Sequence, residues 1–478
     1  MHQHGSKRKK IALRFFSYGV MTLATIVISF ICILLILGYQ FDLQKGTVAQ
    51  GALLQFRSFP SGATIKLDDR TLGFKTPGKE NVDAGKHSVS MTRSGYREWS
   101  KDFAVKAGEL RWLNYVRFIP NDITTSNVRS FDALTDSLPS PDRKWMLLYG
   151  AADKPSFTLA DIRDAKNLRY QTFNLPESSY TTIEGQPHHF NLKEWDFGAR
   201  YALIEHRTGP VVEFIRIDRT NPSNVRNIST QFNLPISDIH FSGTSGNLFF
   251  ALVGSDIRRF DGGAGTVSEP LANYVTGFRL YKEDVIAYTT TKDARSTVGV
   301  IVDGKATVVK AYDTSLAVMV DISEYFDHLY LAIARGTTID IIKDPVEAAS
   351  KTPKSLATVS LPEGIQWLRF GSSGRFIVGG NGNHFVTHDL EIVNTSTTAL
   401  PGTSVNPAKP LQWLDDYYMV SDAEGSLRLS EFDGMNQNLI TNVAPGFSVT
   451  LSDNGEYLYS IGKNASGYTL QSSRMTIN

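Results

Sequence analysis

A two-strand unit that recurs eight times in the C-terminal three quarters of the chain restricts the possible folds more than any other feature. A turn rich in Gly, Asp or Ser leads into a strand of aromatic and aliphatic residues, a short polar turn follows, and a second strand completes the unit. The units read SPDRKWMLLYG then FTLADI; DFGARYALIEH then VVEFIRID; GTSGNLFFALV then DIRRFD; YKEDVIAYTTT then VGVIVDG; EYFDHLYLAIA then TIDIIKD; GSSGRFIVGGN then FVTHDL; LDDYYMVSDA then LRLSEFD; and SDNGEYLYSIGKN then YTLQSSRM. Their spacing of about 38–55 residues is near the period of a propeller blade, and one such unit cannot bury its apolar face alone. Residues 121–478 are therefore expected to form a β-propeller of about eight blades, with seven as the alternative count. The last unit supplies about three strands where a blade needs about four. The segment SNVRSF, Ser126 to Phe131, is placed to supply the missing strand and close the ring.

The N-terminal region obeys a different pattern. No charged residue occurs from Phe15 to Phe41, and Gly19 to Leu37 is nearly continuous apolar sequence. At about 1.5 Å rise per residue this stretch with its flanks spans a hydrocarbon core of roughly 30 Å. SKRKK and Arg14 precede it, and only scattered basic residues follow. The asymmetry predicts a basic cytoplasmic tail at 1–14, a transmembrane helix at 15–41 and an extracytoplasmic remainder. The nearest small-x-small site, Ala49-Gln50-Gly51, lies too far beyond Leu37 for a cleaved secretory signal, so the span is read as an uncleaved signal-anchor. Tyr18, Tyr39 and Phe41 bracket it as interfacial aromatics. Cys32, the only cysteine, rules out an intramolecular disulfide or a cysteine-built metal site. A formal net charge of +1 gives no global field for nucleic acid.

After a linker at 42–51, residues 52–120 alternate apolar and polar over short runs: LLQFRSF, TIKLDD, HSVSMTR, WSKDFAV and LRWLNYVRFI. PSG, LGFKTPG, DAGK, SGY and KAGE separate them as turns, which predicts a small antiparallel sandwich. Ser58-Phe59-Pro60-Ser61-Gly62-Ala63, Asp68-Asp69, Gly73, Thr76-Pro77, Ala84-Gly85-Lys86-His87 and Gly95-Tyr96 follow in order, with Trp99 as the closing aromatic. This series resembles the PEGA domain. Ser61 stands where that family has Glu, and Arg70 where a turn Gly is common. The resemblance implies a small extracytoplasmic β domain of bacterial envelope proteins with no catalytic residues. SPDRKWMLLYG and LSDNGEYLYSIG likewise resemble the WD-like propeller repeats of bacterial envelope proteins.

Each chemical candidate has a structural competitor. His188-His189 lacks the His-x-x-x-His or His-Glu-x-x-His spacing of a metal site and reads as a loop or blade edge. Gly262-Gly263-Ala264-Gly265 and Gly379-Gly380-Asn381-Gly382 lie between strand-like runs and read as hairpin turns rather than phosphate loops. SGTSG and GSSG lack the Gly-x-Ser-x-Gly spacing of a nucleophile elbow. Asp415-Asp416, Asp422 to Gly425 and Asp453 to Glu456 do not fit the twelve-residue calcium loop. Asn227, Asn394 and Asn464 head glycosylation triplets, which matter only in a host that modifies exported proteins. Trp99, Trp112, Trp195, Trp367 and Trp413 are expected to pack in cores rather than form a glycan platform.

No catalytic, cofactor-binding or metal-ligating residue is assigned on these grounds. The expectation is an all-β ectodomain behind one helix in the cell membrane, with the N-terminus cytoplasmic. Its role is that of a non-enzymatic binding or scaffold protein, contacting a protein or an envelope glycan through propeller loops. The alternative is an extracytoplasmic propeller-type enzyme, a lyase, hydrolase or dehydrogenase, with its site at the channel mouth.

Overall fold

The computed structural model describes residues 5–36, 39–42, 47–150, 154–313, 317–351, 354–400, 411–465 and 467–477. A helix runs over Gly5–Ile36, and its segment Ile11–Leu34 is long and apolar enough to cross a membrane, with no part of it buried in the protein. Tyr39–Asp42 does not continue this helix. Its Tyr-Gln-Phe-Asp alternation suits a strand, and it pairs antiparallel with Thr47–Gln50. Tyr39 and Phe41, expected to end the span, therefore lie in a hairpin. The chain divides into two units, Met1–Asp122 and Ile123–Asn478.

Residues 52–117 form two facing sheets. One holds Gly78–Val82, Ala52–Phe59 and Leu110–Arg117; the other holds Arg70–Lys75, Thr64–Leu67, Gly85–Thr92 and Trp99–Val105. Trp99 of the second meets Tyr115 of the first edge-on at 6.2 Å, and Lys101 lies over the same Tyr115 ring. The inward set, including Leu54, Phe56, Ile65, Val89, Met91 and Leu113, is almost fully removed from water. Burial of each large side chain contributes about 1.5–3 kcal/mol. The sandwich is antiparallel except where Ala52–Phe59 pairs parallel with Leu110–Arg117. Alternation reports which face a residue occupies, not strand direction, and only the long crossover through the other strands allows this pairing. Leu72 to Gly78, expected as a turn, instead belongs mostly to strands Arg70–Lys75 and Gly78–Val82, separated by Thr76-Pro77.

Ile123–Asn478 contains eight four-stranded antiparallel sheets among the described residues, arranged as a β-propeller. The eight hairpins read from the sequence are the second and third strands of these sheets. Thr125–Phe131 forms the outer strand of the last sheet beside Gly467–Arg474, so the SNVRSF segment closes the ring as expected. Ser137 and Ser448 exchange hydrogen bonds across the same closure at 2.9 and 3.2 Å.

The repeat signature has a hydrogen-bond basis. Ser140 Oγ donates to Asp142 and accepts from Trp145 N at 3.0 Å, while Ser452 Oγ donates to Asn454 and accepts from Tyr457 N at 3.0 Å. The intervening turn requires positive φ, supplied by Arg143 at 58° and Gly455 at 70°. Between sheets the packing is apolar: Tyr149 and Phe157 of the first meet Phe190, Trp195 and Ile204 of the second, and comparable clusters join later neighbours.

Candidate functional site

The first strand of each sheet brings polar groups from distant sequence positions together. Three of these strands carry bulges: His189–Trp195 between Leu192 and Glu194, Ile236–Phe241 between Ile236 and Asp238, and Val275–Tyr281 between Val275 and Gly277. A bulge leaves one residue out of the ladder and re-aims its neighbours. Lys193, freed in this way, reaches Asp238 on the next sheet, with Nζ 2.5 Å from Oδ1.

First-strand carboxylates also join adjacent sheets. Asp136 accepts Leu192 N at 3.2 Å, Glu194 accepts Phe241 N at 2.6 Å, and Asp321 accepts Phe370 N at 2.7 Å. Glu194 further holds His240 Nδ1 at 2.7 Å, while His240 Nε2 lies 3.5 Å from Asp238 Oδ2. The latter is too long for a good hydrogen bond and acts as an attraction of opposite charges. Burial disfavours the His240 cation, but the Glu194 charge and the contacts to Asp238 and Glu194 prevail, and its pKa rises to about 9. Burial likewise opposes ionisation of Asp238, yet His240 and Lys193 hold its pKa below the ordinary carboxylate range.

A cleft of about 530 Å³ opens along the first strands of the third to sixth sheets. Asp238, Thr276, Arg279, Val318, Trp367 and Arg369 are among its walls, with Thr289, Thr290, Thr291 and Ser296 from the fourth sheet. Burial lowers the Arg369 pKa, and the Arg279 guanidinium lowers it further. Burial raises Asp321, opposed by Phe370 N–H and the charges of Arg369 and Arg279. Gly380 is essential to this wall because a Cβ there would lie 2.3 Å from Trp367 Cζ2. Gly379 and Gly380 thus lie inside strand Phe376–Asn381 rather than in the expected hairpin turn, where only Gly382 has positive φ among them, at 57°.

A second polar cluster occupies the second sheet. Glu213 accepts Thr181 N at 2.8 Å, Thr181 Oγ1 at 2.6 Å and Thr230 Oγ1 at 3.4 Å, and it also meets His206 Nδ1 at 3.0 Å. His206 Nε2 is 2.9 Å from His188 Nδ1. Burial would raise the Glu213 pKa, but these hydrogen bonds lower it to about 2, so the carboxylate is an acceptor only. Because Glu213 only accepts, His206 donates to it from Nδ1, and His206 Nε2 and His188 Nδ1 share one hydrogen between them, its direction set by the tautomer. His188 is half-buried, whereas His206 is fully buried. Sequence reading singled out His188 and His189 but missed their partners; His189 is exposed and outside this chain of contacts.

The other candidates have local roles. Gly262 to Gly265 turns between Asp256–Asp261 and Thr266–Val267, with Asp261 accepting Gly263 N. Ser242 of SGTSG donates to the Glu283 carbonyl. Asp415 accepts Tyr417 N and Tyr418 N, Asp416 accepts Ser372 Oγ, and Asn454 orders the final turn. Asn227 caps the short helix Ile228–Phe232. Trp99, Trp195 and Trp367 are buried, Trp413 stacks on Phe376, and Trp112 alone of the five expected core tryptophans is 36% exposed. Among the described residues, no group of three His, Cys, Asp or Glu side chains is arranged to hold a metal ion.

The two-sheet unit has one more diagnostic arrangement. Thr76 Oγ1 accepts Gly62 N at 3.1 Å and Ala63 N at 2.9 Å and pairs with Ser58 Oγ at 2.7 Å, tying the Pro-Ser-Gly-Ala turn to the Thr-Pro turn. Residues 52–117 match the PEGA domain. The Ser61 departure from the PEGA pattern falls at an exposed position, and Arg70 lies in a strand after the positive-φ pair Asp68-Asp69. No curated protein matches the sequence. Among solved structures, the β-propeller domain of Myceliophteria thermophila Cps50 (Swd1) is similar with 12% identity over 74% of this chain and 100% of that one, at TM-score 0.38. Oligogalacturonate lyase in complex with manganese is similar with 10% identity over 72% and 98%, at TM-score 0.41. Dihydro-heme d1 dehydrogenase NirN has 12% identity over 65% of this chain and 66% of its own, at TM-score 0.42. At such identity the likeness concerns fold alone.

Proposed function

We propose that the protein is a membrane-anchored binding or scaffold protein of the cell envelope. Its N-terminus is cytoplasmic, its PEGA domain and propeller are extracytoplasmic, and it engages an envelope component without turning it over. The observation that carries this reading is the use of first-strand carboxylates. Asp136, Glu194 and Asp321 each accept a backbone N–H of the adjoining sheet, so these acids hold sheets together instead of standing ready for proton transfer. Arg279 and Arg369 meanwhile line a cleft of ligand size.

One arrangement favours the enzymatic alternative. Glu213, His206 and His188 form a carboxylate–imidazole–imidazole series ending on a half-buried ring, which suits a general base. Incubating the full chain in lipid nanodiscs with a cell-surface fraction separates the readings. Binding predicts retained material and no new low-mass product by mass spectrometry. Product formation that disappears in His188→Ala and His206→Ala would favour the enzyme.

A further inference from the structure

Arg279 and Arg369 reach the cleft from the fourth and sixth sheets, and Asp321 occupies the first strand of the fifth. Two guanidinium groups lining one cleft make it a place where an anion is favoured. Asp321 supplies only one charge, and its two oxygens already accept Phe370 N at 2.7 Å and Ile322 N at 3.0 Å. Among the described residues, the Arg279 side chain has no hydrogen bond or ion pair, and that of Arg369 donates only to the Leu368 carbonyl at 3.2 Å. The acidic neighbour on the other wall, Asp238, is already held by Lys193 and His240. The cleft therefore presents guanidinium donors that the protein does not satisfy.

Apart from Gln366, its remaining polar side chains are hydroxylic. Thr276 pairs with Thr289 at 3.0 Å and Thr290 with Thr297 at 2.5 Å, and Thr291 lies 3.5 Å from Ser296. A hydroxyl has one donor and two acceptor sites, so the Thr276, Thr290 and Thr291 oxygens can each still accept from a ligand. Guanidinium forks match planar or tetrahedral oxyanions, whereas a row of neutral hydroxyls matches a polyol. Resting on the binding reading above, we propose that the cleft binds an acidic saccharide, its carboxylate or phosphate between Arg279 and Arg369 and its hydroxyls along the threonine wall. The roughly 500 Å³ scale accommodates a short oligosaccharide rather than a folded partner.

Calorimetric titration of the full chain in zwitterionic nanodiscs tests this with glucuronate, glucose 6-phosphate, glucose and inorganic phosphate. At least one acidic sugar is expected to bind saturably and at least about tenfold more tightly than glucose or inorganic phosphate, as a charge-assisted bidentate contact requires. Glucuronate against glucose 6-phosphate distinguishes the source of the oxyanion. Arg279→Ala and Arg369→Ala should each weaken binding about tenfold, and Arg279→Lys should recover only part because it lacks the fork. Thr291→Val should weaken binding of the acidic sugar by several-fold while leaving inorganic phosphate unchanged. Unchanged melting temperature shows that a variant is folded, and Arg279→Lys serves if an alanine variant is not. Equal binding of glucose, equal binding of inorganic phosphate, unaltered affinity in the arginine variants, or no saturable binding of either acidic sugar overturns the proposal. Mass spectrometry of the recovered sugar keeps the two readings apart: a chemically altered sugar defeats the non-enzymatic reading, whereas an intact sugar that fails to bind defeats only this one.

Discussion

Thr76 and Ala63 are close in space because one hydroxyl completes a buried turn. Ala63 has no accessible surface and its N–H depends on Thr76 Oγ1, so Thr76→Val leaves a buried donor without its partner, while Ser58 Oγ keeps only its bond to the Pro60 carbonyl. The substitution should destabilise the PEGA domain by about 1–3 kcal/mol, read as a lower urea midpoint for that domain's transition. His240 gives a pH signature. Its pKa rises to about 9 from an unfolded value of about 6.5, so its contribution to stability is complete below about pH 6.5 and disappears as pH climbs through about 9. The groups responsible are Glu194 and Asp238, with Lys193 sharing Asp238. The melting temperature of the propeller should fall over that interval, and His240→Gln should flatten the fall. An identical slope in the variant would show that another group is responsible.

Elements were legible where the sequence alternates strongly between recognisable turns. Trp145–Tyr149 and Tyr457–Asn464 announce themselves through Ser140-Pro141-Asp142 and Ser452-Asp453-Asn454, whose side chains make the turn bonds. First strands such as Gln412–Trp413 and Thr450–Leu451 are too short to display a period. Lys193, Asp238, Arg279 and Arg369 come from four different sheets, and a linear motif cannot encode that juxtaposition. The only available clue was a charge inside an otherwise apolar run, as at Arg279 in FRLY. Gly380 was misread because a strand glycine made necessary by the Trp367 ring resembles a turn glycine in sequence. Ring closure was legible, through the missing strand of the last repeat. Arg129→Pro/Ser130→Pro should test it, since adjacent N–H groups alternate in direction and one of the two must serve the ladder with Gly467–Arg474. Amide exchange in Tyr468 to Ser473 should accelerate at least about tenfold and the propeller should melt earlier. Unchanged protection would mean that Thr125–Phe131 does not hold the last sheet.

In the proposed reading of the whole molecule, the apolar segment Ile11–Leu34 serves for anchoring and the β units for recognition. The basic residues before Ile11 and their scarcity after the span predict that protease added outside intact cells removes the PEGA domain and propeller, whereas a tag at the N-terminus survives. Loss of the N-terminal tag with a protected propeller would reverse the orientation. The binding function is tested most directly by a photo-crosslinking residue placed at Thr291, on the cleft, and in parallel at Val308 on the outer strand Lys305–Tyr312 of the same sheet. Illumination of cells producing each variant should yield cell-surface adducts from Thr291 well above those from Val308, and Arg279→Ala should abolish the difference. Equal adducts from the two positions, or adducts from Val308 alone, would contradict recognition at the first-strand cleft.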